Sequence, residues 1–349
     1  MKYLEWLSTN TQTKWWHDSA IPSEIDEAIE LGALGVTTNP ILTYKALQAD
    51  PEYWAPKVAK IPANITGTAR AEALLKAVAL EAAYKFRSVF ENTKAQHGYA
   101  LAQVNPANAG NTREMLEQGL RYASWAENIA VKLPTTKAAL PVIEELSAQG
   151  IAVCTTLNFS VSQAVAASKA YDRGFIRAKK NGILPRPCFI VQQGGRLDDY
   201  LAEVITDNQV PVKKESIQSA GNAVCKKSYR ILQEQGSPAI IMPAGLRGSH
   251  HLSAMVGAKM IFSLQTKVQR MVNSENLHRE ERINDEIDDT IISELEQINE
   301  FRKAYTTDGL IPDEFIKFGV MQRTLSQFLW TGWVPLETYG TTEKSDRWF

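Results

Sequence analysis

The chain has 349 residues, with 38 Lys and Arg set against 39 Asp and Glu, for a net charge of −1. That balance leaves no basic field for nucleic acid and no polybasic run for a membrane surface. Three scattered cysteines are too few for a disulfide framework or a zinc cluster.

The first stretch, MKYLEWLSTNTQTKWW, has no apolar h-region, and no apolar stretch reaches membrane-spanning length. A reduced, cytoplasmic protein is expected. The triplets at Asn64 and Asn158 that fit glycosylation acceptors mean little without a secretion signal. From there, short apolar runs recur at 14–20, 32–39, 99–105, 128–133, 152–159, 188–195, 239–245 and 258–264, each followed by a turn. Helical patterns fill the gaps at 22–31, 69–95, 111–125, 137–149, 160–170 and 213–235. The first opens on Pro22 with Glu24, Asp26 and Glu27 in its early turns, and the fifth opens at a Ser160 N-cap. Strands that are apolar without clean alternation imply a parallel sheet covered by helices. Eight such units close most naturally as a (β/α)8 TIM barrel, an α/β fold. A doubly wound sheet would want a glycine-rich phosphate turn after its first strand, and none is present.

Residues 273–310 read as one charged amphipathic helix with Ile287, Ile291, Leu295 and Ile298 on one stripe. The stretch EFIKFGVMQRTLSQFLW predicts another helix, followed by a polar end. The expected division is a catalytic barrel over 1–272 and a C-terminal helical extension, 273–349, packed on it.

One apolar run, NIAVKL, contains a lysine. Lys132 either carries its charge out to water on its long stem or is buried, which lowers its pKa and frees a nucleophilic amine. Its neighbours decide. In such a barrel the active site lies at the C-terminal strand ends, where Asp18, Asn39, Gln103, Asn105, Lys132, Thr156, Asn158, Arg196 and Arg247 would converge. An amine among apolar residues and two arginines can attack a ketone and form a Schiff base. The protonated imine is then an electron sink for breaking a carbon–carbon bond. Asp18 suits a general base, and the arginines suit an anionic sugar terminus.

GVTTNPIL (35–42), IAVKLPTT…GIAVCTTLNFSVSQA (129–164), GGRLDD (194–199), MPAGLRG (242–248) and FRKAYTTDGLIPDEF resemble the transaldolase family across most of the chain. The resemblance implies a barrel whose fourth strand carries the Schiff-base lysine, here Lys132, with Asp18 as acid and base. It implies that Asn39 holds donor hydroxyls, that Thr156 positions a water, and that Arg196 and Arg247 bind phosphate. Phe159 and Ser160 match the family's strand-to-helix step. It implies no cofactor and no metal, a small anionic sugar as substrate rather than nucleic acid or membrane, and leaves a homo-oligomer open.

Departures from the family pattern bear on the donor. Gln103 stands where transaldolases place a glutamate, and fructose-6-phosphate aldolase-type members also carry glutamine there. Cys154 replaces an asparagine that contacts the donor. By strand alternation Cys154, Thr156 and Asn158 share one face, so Asn158 would supply an amide from a new place. Val191, Gln192 and Gln193 replace the family's serine, proline and aromatic residue; Ala139 and Ile41 replace small residues. The expected activity is transfer of a three-carbon ketol unit from an anionic ketose to an aldehyde. The alternatives are an aldolase that releases free dihydroxyacetone and a non-catalytic sugar-phosphate sensor. His250 and His251 invite a metal reading, but neighbouring helix residues face apart, which favours capping or solvent contact.

Overall fold

The computed structural model describes residues 1–341; the polar end expected after the last helix lies largely outside them. Seven of the eight apolar runs form parallel strands: β1 (Lys14–His17), β2 (Ala100–Gln103), β3 (Ile129–Pro134), β4 (Val153–Asn158), β5 (Cys188–Gln192), β6 (Ile240–Pro243) and β7 (Ile261–Leu264). The run at 32–39 contributes no full strand, but Val36 bridges His17 on one side and Ala100 on the other, both in parallel. Two features keep it short. Gly35 lies against the Trp16 indole, where a Cβ would come within 2.5 Å of Cε2. The threonines that follow bond outside the ladder, Thr37 Oγ1 to Asp18 and Thr38 Oγ1 to the Leu101 carbonyl.

Backbone pairing therefore runs from β7 through β1 and Val36 to β2, β3, β4, β5 and β6. β6 packs alongside β7, and helices fill the connections. The chain is a (β/α)8 barrel, and β3 occupies its fourth position. Strand alternation splits the core in two. Trp16, Leu101, Ala130, Cys154, Phe189, Val191 and Met242 fill the interior, with Trp16 and Phe189 rings 4.5 Å apart across it. The opposite faces, such as Val131, Val153 and Ile190, join the larger core beneath the helices.

The predicted helix over 273–310 is broken. Helices Asp289–Leu295 and Asn299–Tyr305 are present, but residues 276–288 are irregular. The acidic run disfavours continuous helix, and Asp288 starts a new one by accepting from Thr290 N at 2.7 Å. Of the expected stripe, Leu295 and Ile298 are buried, whereas Ile287 and Ile291 are only half-buried. The last predicted helix is also segmented, into Pro312–Phe315, Gly319–Phe328, a π-helical turn at Leu329–Trp333, and Val334–Glu337.

This C-terminal segment crosses to the barrel's early helices. Gly332 sits against the start of helix Pro40–Ala49, where a Cβ would be 2.6 Å from Ile41 N. Tyr339 donates its hydroxyl to Leu47 O, and Arg70 Nε donates to Tyr339 O at 2.6 Å. Among the described residues no helix is long and apolar enough to cross a membrane.

Candidate active site

The C-terminal strand ends surround an open cleft of about 600 Å³. Asp18, Asn39, Lys132, Gln193, Arg196, Ser263, Gln265 and Phe328 are among its lining residues. Lys132 is 4% exposed, and its Nζ donates one hydrogen bond, 3.1 Å long, to Thr38 O. Burial pushes its pKa down, with Arg196 adding to the effect and Asp18 opposing it. The stem does not carry the charge to water. Of the two sequence readings, the buried amine is the one the fold realises.

Asp18 follows β1 and is held by a short polar chain. Thr37 Oγ1 donates to Asp18 Oδ1 at 2.6 Å and lies 2.6 Å from Ser263 Oγ. Three strand ends thereby fix one carboxylate. Asn39 caps helix Pro40–Ala49, its Oδ1 accepting from Leu42 N at 3.0 Å, which leaves Nδ2 without a partner among the described residues beside the cleft.

Lys132 is flanked in register by Gln103 on β2 and Cys154 on β4. Gln103 is 1% exposed and its Oε1 has no hydrogen-bond partner. Cys154 belongs to the barrel interior, and burial pushes its thiol up to about 12, so it is a neutral neighbour rather than a competing nucleophile. Thr156, one pleat above Cys154, accepts from Gln193 Nε2 at 3.2 Å, while Gln193 Oε1 is buried without a partner.

The alternation does not carry through to Asn158. Leu157 has φ +60°, and the β4–β5 register shifts between Thr155 and Asn158. This bulge turns Asn158 Nδ2 toward Thr155 O, Thr155 Oγ1 and Val191 O, at 3.3, 3.2 and 2.9 Å. The expected common face of residues 154, 156 and 158 is therefore corrected: Asn158 ties two strands together. Ser160 caps the 20-residue helix Val161–Lys180, accepting from Gln163 N at 3.1 Å. Neither residue lines the cleft, and Asn105 instead caps the short turn at Pro106–Asn108.

The two arginines differ. Arg196, in the first turn of helix Gly194–Asp207, enters the cleft, and burial lowers its pKa, with Arg247 as the next cause. Arg247 lies on the rim with its side chain 38% exposed. Its Nε and Nη2 donate to Asp199 Oδ2 at 2.9 and 2.7 Å, and Nη1 donates to Gly245 O at 2.7 Å. Gly195 permits this close approach, since a Cβ there would be 2.8 Å from Arg247 Cγ. His251 supports the same loop. Its Nδ1 accepts from Arg247 N at 3.3 Å, so its Nε2 donates to buried Asp198 at 2.8 Å. Asp198, His250 and His251 lie close enough to share an ion, yet both ring nitrogens of His251 are already engaged.

Sequence reasoning missed Thr37, Ser263 and Gln265, which strand alternation could have found, and Lys45 and Phe328, which carry no local signal.

A parallel barrel whose fourth strand buries a lysine in a cleft shared with a fixed carboxylate and an inward arginine defines a class of (β/α)8-barrel proteins with a strand-borne lysine at the strand ends. The chain belongs to the transaldolase/fructose-6-phosphate aldolase family, whose model matches residues 15–324. It is 27% identical over 244 residues to "Transaldolase 2" of Nostoc sp., covering 65% of this chain and 64% of that protein. It is 30% identical over 199 residues to the transaldolase of Trichodesmium erythraeum, covering 54% of this chain and 52% of that one. A third relative, "Transaldolase 1" of Streptomyces avermitilis, is 27% identical over 237 residues, covering 65% of this chain and 62% of that one. These matches span less than two thirds of each relative's length.

Proposed function

We propose that the protein is a transaldolase-like transferase that moves a three-carbon ketol unit from an anionic ketose to an aldehyde. The observation that carries this reading is Lys132, a buried amine with a lowered pKa in a cleft shared with Asp18. In this reading Lys132 attacks the ketone carbon, and loss of water from the carbinolamine gives the imine. Asp18 takes the proton of the hydroxyl two carbons from the imine carbon, on the carbon that leaves as the aldehyde; the bond between that carbon and the one next to the imine breaks, and its electrons flow into the imine to give an enamine. The enamine adds to an acceptor aldehyde, Asp18 returns the proton, and water releases the product from Lys132.

Asn39 Nδ2 faces the donor hydroxyls, and Thr156, bonded to Gln193, places the water. Gln103 lies beside the amine, with its orphaned Oε1 as an acceptor. Cys154 sets the floor under the imine, and Asn158 and Ser160 hold the backbone around Thr156. Arg196 takes the anionic end directly, and Arg247 joins it on giving up Asp199. The chemistry needs no cofactor or metal, and the substrate is a small anionic sugar in the cytoplasm. Residues 1–272 supply the reacting groups, and the extension that begins at residue 273 brings Phe328 to the mouth.

Incubation with a panel of phosphorylated and sulfonated ketoses and borohydride, followed by mass spectrometry, tests the reading. A reduced adduct on Lys132 is expected, and its absence across the panel would refute it. The alternative reading, an aldolase, rests on Gln103 alone. Release of free dihydroxyacetone without an acceptor would select it.

A further inference from the structure

Arg196 is in an unusual electrostatic position among the described residues. A guanidinium offers five N–H donors, yet Arg196 makes one hydrogen bond, from Nη1 to Gln327 Oε1 at 2.6 Å, and no ion pair. Asp18 shares the cleft with it and makes no ion pair to it, while the carboxylates farther along its own helix are occupied by other arginines. Asp199 is held by Arg247, and Glu203 is held by Arg323 through two bonds of 2.6 and 2.8 Å. Arg323 and Gln327 lie one turn apart on the same C-terminal helix, Gly319–Phe328. That helix thus fills the nearby carboxylate with one residue and offers Arg196 a neutral amide with the other. Phe328, the next residue, is buried, lines the cleft, and places its ring centroid 5.7 Å from the Arg196 guanidinium carbon.

The anchoring of this helix end is equally specific. Gln327 O accepts from Thr331 Oγ1 at 2.7 Å at the entry to the π-helical turn, and Gly332 then fixes the turn against Pro40 and Ile41. Single π-turns change the angular phase of a helix and recur at functional sites. Here the turn begins directly after the two residues that touch Arg196 and contains the glycine that docks the segment against Pro40 and Ile41.

We infer that Gln327 and Phe328 are specificity-determining positioning residues, which hold Arg196 aimed at the donor's anionic terminus without neutralising it. An amide acceptor orients the guanidinium and leaves its full charge and four N–H groups for the ligand, whereas a carboxylate would consume both. The discrimination between charged and neutral ketoses is thereby set from the C-terminal segment, not only from the strand ends. The inference rests on the reading above that Arg196 meets the donor's anionic end.

The test compares fructose 6-phosphate with fructose as probes differing by one phosphate. The readout is the ratio of their half-saturation concentrations for borohydride trapping on Lys132, in wild type, Gln327→Glu, Gln327→Met, Phe328→Leu and Arg196→Gln. Gln327→Glu should reduce the preference for the phosphorylated probe by on the order of tenfold, the factor that a single engaged charge commands. Gln327→Met and Phe328→Leu should reduce it by a few-fold, with the loss in half-saturation rather than in the limiting rate. Thermal melting checks that each variant folds, and Phe328→Leu keeps the test open if Gln327→Glu does not. An unchanged ratio in the folded Gln327 and Phe328 variants, with Arg196→Gln losing it, overturns the inference and leaves the reading of Arg196 intact. An unchanged ratio in Arg196→Gln overturns both. A loss in Gln327→Glu that extends equally to trapping of dihydroxyacetone also overturns the inference, because it marks a general distortion of the cleft.

Discussion

Replacing Asp18 by Asn separates the base from the nucleophile. The amide matches the carboxylate in shape and keeps an Oδ1 that accepts from Thr37, now 2.6 Å away. Exchanging a charged for a neutral acceptor should therefore cost about 1 kcal/mol of stability. Catalysis is hit far harder. A positioned general base contributes about 10²- to 10⁴-fold, equivalent to about 2.7–5.4 kcal/mol of barrier, and an amide cannot take the proton. The effect on Lys132 has the opposite sign. The Asp18 charge holds the lysine's pKa up against burial, so its removal lowers that pKa further and enriches the free amine near neutral pH. Cleavage of a ketose, followed by coupled detection of the released aldehyde, should fall by two to four orders of magnitude. Borohydride trapping of dihydroxyacetone on Lys132 should persist, with its pH profile moved toward lower pH. Parallel loss of cleavage and trapping would refute the division of labour, and so would wild-type cleavage.

Three further outcomes are expected. Lys132→Met should abolish trapping yet stabilise the fold at neutral pH. With the folded pKa depressed, burial of the ammonium destabilises fully below that pKa, and the penalty fades as pH rises toward the unfolded value of about 10.4. The advantage of the Met variant in thermal melts should shrink accordingly on the alkaline side. Arg196→Leu should raise the half-saturation concentration of an anionic donor by about 10- to 100-fold, the range for a hydrogen bond to a charged group. Arg247→Leu should cost less, because Asp199 and Gly245 already engage that guanidinium; steady-state kinetics at fixed ionic strength decides the order. Gly35→Ala should destabilise by about 1–3 kcal/mol, since its methyl would overlap the Trp16 indole; an unchanged melting temperature would contradict the packing described.

The barrel and its lysine were legible because their signals are local. An apolar run broken by Lys132 leaves a snorkelling or a buried amine open until the polar residues at the other strand ends decide for the buried one, and recurring runs followed by helical patterns announce parallel units. Thr37 and Ser263 were legible in principle from alternation once the barrel was drawn. The bulge at Leu157 was not, because a register shift is decided by pairing with β5, and the residues 154–158 read as an uninterrupted strand. The long helix expected over 273–310 failed for a related reason. Its stripe fits helical spacing, but the chain buries only Leu295 and Ile298 against the core, and Asp288 caps a new start. Gln327 and Asp199 show the remaining limit. Each matters through an arginine supplied by a distant segment, and no periodicity records which acid is already taken.

The interior beneath Lys132 has a kinetic consequence. Trp16, Phe189, Tyr99 and Leu101 fill the barrel below the amine, with Trp16 and Phe189 in direct ring contact, so the described residues pack the end of the barrel away from the cleft. In the proposed reaction, donor, aldehyde and water would share the mouth that Phe328 lines. The aldehyde released from the donor would then leave before an acceptor reaches the enamine, so a ping-pong order with parallel double-reciprocal plots is expected. The same packing would give the enamine one direction from which to be attacked.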